Sequence, residues 1–191
     1  MKHTVAALVE DQPGVLTRVA SLFRRRGFNI ESLAVGSTEE TGISRMTIVV
    51  DGDDGIVEQV EKQLYKLVEV VKVTDLTHGD VVTRELALIK IDCQRQQRRE
   101  VLDLVEIFRA QTVDVSPTSM IVQAVAAADR LDALVENLRP FGIRELVRTG
   151  RVAMARGART HGVHEREGEE AQRFHSQSGR RPEGDIPYVS K

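Results

Sequence analysis

A single cysteine, Cys93, stands in 191 residues. That excludes an intrachain disulfide and any cysteine-rich zinc centre, and it fits a reducing compartment. Aromatic side chains make up only 4% of the chain, too few for a surface that stacks nucleobases. No apolar run approaches the roughly 20 residues that cross a bilayer. The N-terminus lacks the basic start and long apolar stretch of a signal peptide. Neither sign of charge dominates: 27 Lys and Arg against 29 acidic residues leave a net charge of -2, so there is no electrostatic footprint for nucleic acid or an anionic membrane. Catalytic signatures are missing as well. There is no G-x-S-x-G, H-E-x-x-H, C-x-x-C or G-x-x-x-x-G-K-[ST], and Cys93 ends a predicted strand without an evident histidine partner, which reads as buried filler rather than a nucleophile. With 41% hydrophobic residues the chain can build one medium or two small cores. The expectation is a soluble, cytoplasmic, globular protein without a catalytic site or a metal of its own.

What is present is organised around residues 8–33, LVEDQPGVLTRVASLFRRRGFNIESL. The stretch reads as a strand end, an Asp-Gln-Pro-Gly turn, an amphipathic helix and a second strand. Pro13 presets a backbone angle, while Gly14 bends the chain and leaves no side chain above the helix start. First-turn N–H groups lack partners within a helix and sit at the positive end of its dipole, so a small carboxylate can dock there. Val15, Leu16, Val19, Leu22 and Phe23 recur at helical spacing, with Arg18, Arg24, Arg25 and Arg26 opposite. Gly27 suits the position just past the helix. Read alone, a Pro-Gly turn before a helix serves turn chemistry as readily as ligand binding.

Around this motif the first half orders itself as strand 4–9, helix, strand 29–37, polar loop 38–42, strand 43–50, a helix after the Asp-rich break 51–55, and strand 70–76. In strand 43–50, Met46, Ile48 and Val50 alternate with Arg45, Thr47 and Val49. The second helix carries Ile56, Val57, Val60, Leu64, Leu67 and Val68, and the acidic residues before it favour its dipole. This is the βαββαβ, ferredoxin-like order, in which four antiparallel strands bury one face under two helices and leave the other available. After His78-Gly79-Asp80 the order returns: strand 86–91, helix 97–110, strands 112–115 and 119–126, a helix capped by Asp129 and ended by Pro140, and a last strand with its continuation over 143–154. A repeat of roughly 75 to 80 residues predicts an α+β protein of two tandem ferredoxin-like domains, residues 1–78 and 79–157. Residues 158–191 are poor in apolar side chains and rich in Arg, Glu, Gly, Ser and His, which predicts a disordered charged tail. His161, His164, Glu165 and Glu167 there lack the scaffold a metal site requires.

Three blocks of the first half (EDQPGVLTRVASLFRRRGFNIESLAVG, SRMTIVV and EQVEKQLYKLVEVVKV) resemble the N-terminal ACT domain of the acetohydroxyacid synthase, or acetolactate synthase, regulatory small subunit. RELALIKI, EIFRAQTVDVSP and LRPFGIRELVRTGRVAMARG resemble that subunit's C-terminal domain. The resemblance runs over residues 1–157 with the blocks in the same order. It implies a chain that activates a catalytic large subunit using thiamine diphosphate, FAD and magnesium, itself holding no cofactor. That enzyme joins two pyruvates, or pyruvate and 2-oxobutyrate, at the start of valine, leucine and isoleucine synthesis. It also implies feedback inhibition, usually by valine, bound where two ACT domains pair edge to edge in a homodimer.

Carried onto this sequence, the effector positions are Asp11, Gly14, Val15, Leu16 and Thr17 of one subunit, facing Asn29 and Ile30 of the other. The chemistry agrees. N–H groups after Pro13 suit a carboxylate, Asp11 or the Asn29 amide oxygen suits an ammonium, and Leu16, Ile30 and Val35 suit a short branched side chain. Without the resemblance, Asn29 reads as a strand-start turn residue and Asp11 as a solvated loop carboxylate. Some family members carry Asn where this chain has Asp11, so ammonium recognition differs here. Two rivals remain. RNA binding on the same fold order needs aromatics in strands 4–9 and 43–50, which have none. A free-standing ACT sensor shares the ligand site, yet does not predict the second half's blocks.

Overall fold

The computed structural model describes residues 1–157. The expected charged tail 158–191, with His161, His164, Glu165 and Glu167, lies outside the described residues. Strand β1 (Lys2–Glu10) is central and buried from His3 to Val9. It pairs antiparallel with β3 (Ile43–Asp51) on one side and β4 (Val70–Asp75) on the other. Strand β2 (Ile30–Ser37) adds to β3, so the first sheet runs β2-β3-β1-β4, with β2 at an edge. Helices α1 (Val15–Arg26) and α2 (Asp54–Leu64) cover one face. Val5, Ala7 and Val9 meet Met46, Ile48 and Val50 there, under Val19, Leu22, Phe23, Val60 and Leu64. Each of the larger of these side chains, from Val to Phe, contributes about 1.5–3 kcal/mol by leaving water.

Local chemistry sets the helix ends. Gly27 takes φ +71°; its N–H reaches the Arg24 carbonyl at 3.2 Å and the Phe28 N–H reaches the Phe23 carbonyl at 3.1 Å. This is a Schellman stop, and the Phe23 and Phe28 rings meet edge-on across it at 5.9 Å. Asp53 caps α2 through the Ile56 N–H at 3.0 Å, a specific bond beyond the dipole complement expected of the Asp-rich break. Helix α2 ends at Leu64, so Val68 is not on its buried stripe but 91% exposed. Leu16 likewise departs from the stripe predicted for α1 and stands 46% exposed.

The second sheet repeats the pattern with β5 (Val81–Asp92), α3 (Arg98–Ile107), β6 (Gln111–Val115), β7 (Ser119–Ala126), α4 (Ala128–Leu138) and β8 (Ile143–Arg148). Its order is β6-β7-β5-β8. Ile89, Ile91, Met120 and Val122 pack under Val101 and Leu131, Leu134 and Leu138, and Cys93 lies fully buried among them. Burial pushes the Cys93 thiol above its ordinary range, against the nearby Arg98 charge, which suits filler and not a nucleophile. Thus the fold is α+β, with the ferredoxin-like βαββαβ order twice.

Three further expectations need correction. Asp129 does not cap α4: the capping position is Ala127, without a side-chain bond, and Asp129 falls in the first turn, where it still complements the dipole. The last strand over 143–154 is not continuous. It breaks at residues 149–151, where Gly150 has φ +80°, and resumes as β9 (Val152–Ala155), paired with residues 81–84 of β5. The face of the first sheet opposite its helices is not left free either, because β9 and the break before it lie across it. Ala153 packs with Ala6, Leu76 and Val81, and Arg45 Nη2 donates to the Ala153 carbonyl at 2.8 Å.

Candidate functional site

The turn after β1 is built from the backbone. Asp11 N–H donates to the Gly42 carbonyl at 2.7 Å, and Gln12 N–H to the Glu10 carbonyl at 3.0 Å. Gly14 then turns through φ +91°, ψ −9°, as the residue before α1. A Cβ added there would meet nothing within 4 Å, so the space over the helix start is open. Val15 N–H turns back to the Gln12 carbonyl at 3.3 Å, and Val15 itself is buried. The N–H groups of Leu16 and Thr17 lie in the first turn, where a helix offers no acceptor. They follow directly on the Gly14 turn, at the positive end of α1. The Asp11 and Thr17 side chains are exposed beside it.

One turn further, Arg18 N–H donates to the Gly14 carbonyl at 3.0 Å. Its guanidinium pairs with Glu69, whose side chain is largely buried at the foot of β4. Glu10 N–H donates to the Glu69 carbonyl at 2.9 Å. The helix start is thereby clamped to both β1 and β4.

The structure does not bring Asn29 and Ile30 to this mouth within one chain. Ile30 pairs with Val50 at one end of the sheet, whereas Ser37 pairs with Ser44, and Glu10 with Ile43, at the other. The eight residues of β2 span the two ends, roughly 20–25 Å at strand rise. Residues 11–17 and residues 29–30 therefore lie at opposite ends of the sheet. Val35 pairs with Met46 and so shares the helix-covered side, near the Gly14 end. Like Leu16 it stands about half exposed, at 49%. Asn29 is exposed and precedes β2 rather than beginning it. Along its outer side β2 has no strand partner among the described residues.

Two cavities occupy a different region, between the face of the first sheet away from its helices and the second half. One, of about 450 Å³, is lined by Lys2, Glu31 and Ser32 on one wall and by Glu85, Asp132 and Arg148 on the other. Arg148 there bonds Glu85 at 2.7 and 2.8 Å and Asp132 at 2.5 Å. The Glu85 hydrogen bonds hold its guanidinium protonated well beyond its ordinary range. The other, of about 370 Å³, is mostly apolar, between Ala34 and Val35 of β2 and Val82, Val152 and Met154. Sequence reasoning missed this junction. Its signal was Gly150 inside an apparent strand, which marks a bend or a close backbone approach. Among the described residues no group of three or more His, Cys, Asp or Glu is placed to hold a metal ion. No described helix is long and apolar enough to cross a membrane.

Residues 5–72 match the family model of the AHAS small subunit-like ACT domain. Residues 84–157 match that of the small subunit of acetolactate synthase. The chain is 56% identical over 157 residues to a probable acetolactate synthase small subunit of Archaeoglobus fulgidus, covering 82% of this chain and 98% of that one. It is 52% identical over 157 residues to the acetolactate synthase small subunit of Mycobacterium bovis, covering 82% and 94%. The crystal structure of the acetolactate synthase small subunit from Thermotoga maritima superposes with a TM-score of 0.78 at 45% identity, covering 83% of this chain and 99% of that one. Residues 158–191 lie outside both family-model matches.

Proposed function

Because the chain belongs to the acetolactate synthase small-subunit family, we propose that it activates a catalytic large subunit and subjects it to feedback inhibition by a branched-chain amino acid, valine foremost. The observation that carries this reading is the separation of the half-sites. Residues 11–17 offer donors for a carboxylate at one end of the first sheet, and Asn29 and Ile30 stand at the other. Antiparallel pairing of β2 with β2 of a second copy sets the start of one strand beside the end of the other. Asn29 and Ile30 of one subunit then arrive at the Gly14 mouth of its neighbour, and two equivalent sites form in the homodimer.

In such a site the Leu16 and Thr17 N–H groups receive the effector carboxylate at the helix start. Asp11 and the Asn29 amide oxygen take the ammonium group. Leu16 and Val35 with the neighbour's Ile30 enclose a side chain of three or four carbons. Residues 1–78 act as the effector-binding domain and residues 79–157 as the family's second domain. The chemistry of joining 2-oxo acids belongs to the large subunit, where thiamine diphosphate, FAD and magnesium would be held, in the cytoplasm. The binding partners are that subunit, a second copy and the amino acid, with neither nucleic acid nor membrane among them.

The test is acetolactate formation by the matching catalytic subunit, with and without this chain and with and without valine. Stimulation by the chain that valine reverses is the expected result. Stimulation insensitive to valine moves the effector to leucine or isoleucine. No stimulation of an active catalytic subunit leaves a free-standing amino-acid sensor and refutes the regulatory-subunit reading.

A further inference from the structure

We propose that residues 149–155 are a coupling strap that carries occupancy of the effector site from β2 to the second sheet. The inference rests on the effector site proposed above and concerns its output. Strand β2 follows directly from Asn29 and contains Ile30, and its pairing with β3 slips in register between Ile30 and Ser32. Such a bulge is the place where a strand bends most readily. On its far side, Ser32 and Val49 of β3 and Thr4 of β1 form one row on the face away from the helices.

Arg151 spans that row. Its N–H reaches Ser32 Oγ at 3.5 Å, and its Nη1 reaches Thr4 Oγ1 at 3.2 Å. Gly150 packs against the same strand: a Cβ placed on it would lie 3.4 Å from Ser32 Cβ and 3.5 Å from the Leu33 carbonyl oxygen. Two residues on, the Ala153 carbonyl accepts from Arg45 of β3. The strap thus touches all three strands that a shift of β2 would move.

Its other side belongs to the second half. Val152 to Ala155 pair with residues 81–84 of β5, which continues as the central strand of the second sheet. Just before the strap, Arg148 is fixed by Glu85 of β5 and Asp132 of α4. A displacement of β2 at the bulge therefore has a continuous bonded and packed route to β5. Coupling between sites is carried by contiguous networks of this kind. The polar cavity of about 450 Å³ beside the strap, between Ser32 and Arg148, leaves room for the two walls to approach or part. Arg151 is a positioning residue in this scheme, since it touches neither effector nor catalytic centre.

The experiment uses the reconstituted holoenzyme with Arg151→Ala, reading stimulation and inhibition at saturating valine, together with valine binding to the isolated chain by calorimetry. The expected result is unchanged stimulation, a valine Kd within about twofold of wild type, and an inhibition factor reduced about fivefold or more, within the usual range of coupling factors. Arg151→Lys, which keeps a donor for Thr4 Oγ1, restores part of it. Inhibition equal to wild type overturns the strap, and so does a Kd weakened in parallel with inhibition, which would place Arg151 in the binding site. If the alanine variant does not fold, Ser32→Ala and amide exchange of the wild type decide. Valine must change the protection of residues 151–155, and unchanged protection overturns the proposal. A wild-type chain that binds no branched-chain amino acid refutes the effector site itself, and the strap falls with it.

Discussion

Replacing Gly14 by Asp tests the effector mouth most directly. At φ +91° an L-residue is strained by about 1–2 kcal/mol, less for Asp than for bulkier residues. A new Cβ meets no atom within 4 Å, so the fold survives with a modestly lower melting temperature. The charge has a larger effect. A carboxylate some 4 Å from the docked effector carboxylate, near a protein surface, repels it by about 4 kcal/mol. At 1.4 kcal/mol per tenfold, that is a loss of roughly a thousandfold in affinity. Gly14→Ala imposes the backbone strain without the charge and separates the two contributions. Valine binding by calorimetry and acetolactate formation by the holoenzyme provide the readout. The expected outcome is an Asp variant that stimulates fully and is no longer inhibited, beside an Ala variant that retains most of its affinity. Valine bound by the Asp variant at wild-type affinity would refute the placement of the carboxylate over the helix start.

Val35→Lys puts a charge on the exposed edge strand, which opposes edge-to-edge pairing. Sedimentation should then shift from a dimer toward the 21.3 kDa monomer, and an unchanged mass would move the interface away from β2. Leu134→Ala, in the buried α4 stripe, should cost about 2–5 kcal/mol in urea unfolding, while Val68→Ala, at an exposed site, should stay within about 0.5 kcal/mol. Partial burial, with the Asp75 charge adding to it, raises the Glu61 carboxyl above its ordinary value. A folded-state value above the unfolded one means that stability falls as pH rises through the window between them. Glu61→Gln should therefore raise the stability slightly at pH 7, by less than about 1 kcal/mol after screening, seen as a higher melting temperature, and leave it unchanged near pH 3. A variant less stable at pH 7 than wild type would contradict that sign.

Much of the architecture was legible because its signals are local. Met46, Ile48 and Val50 alternate as a one-sided strand must, and Phe23-Arg-Arg-Arg-Gly27-Phe28 spells a helix and its stop within six residues. The acidic break 51–55 placed carboxylates at the start of α2, and Asp53 there became its cap. Val68 went astray because the apolar spacing continued past Tyr65, whose hydroxyl instead bonds the Val73 backbone at 3.1 Å beyond the helix end. The covered face of the first sheet was harder to foresee, since it depends on where residues 149–155 return in space. A trace of it lay in β1, where Ala6 and Leu8 are apolar on the side away from the helices, the mark of a strand buried on both faces. The half-sites show a similar limit. The residues of the Gly14 turn were recognisable one by one, but only the register of β1, β2 and β3 reveals that Asn29 cannot reach them within one chain.

That division between the two ends of one sheet has a genetic consequence. In the proposed homodimer each effector site would draw its helix start from one subunit and its strand start from the other. A chain defective at Gly14 and a chain defective at Asn29 are each blind to the amino acid as homodimers. Paired together, they leave one mouth with an intact Gly14 facing an intact Asn29. On that arrangement two such alleles expressed side by side should restore feedback to part of the enzyme pool, although neither carries a working site alone.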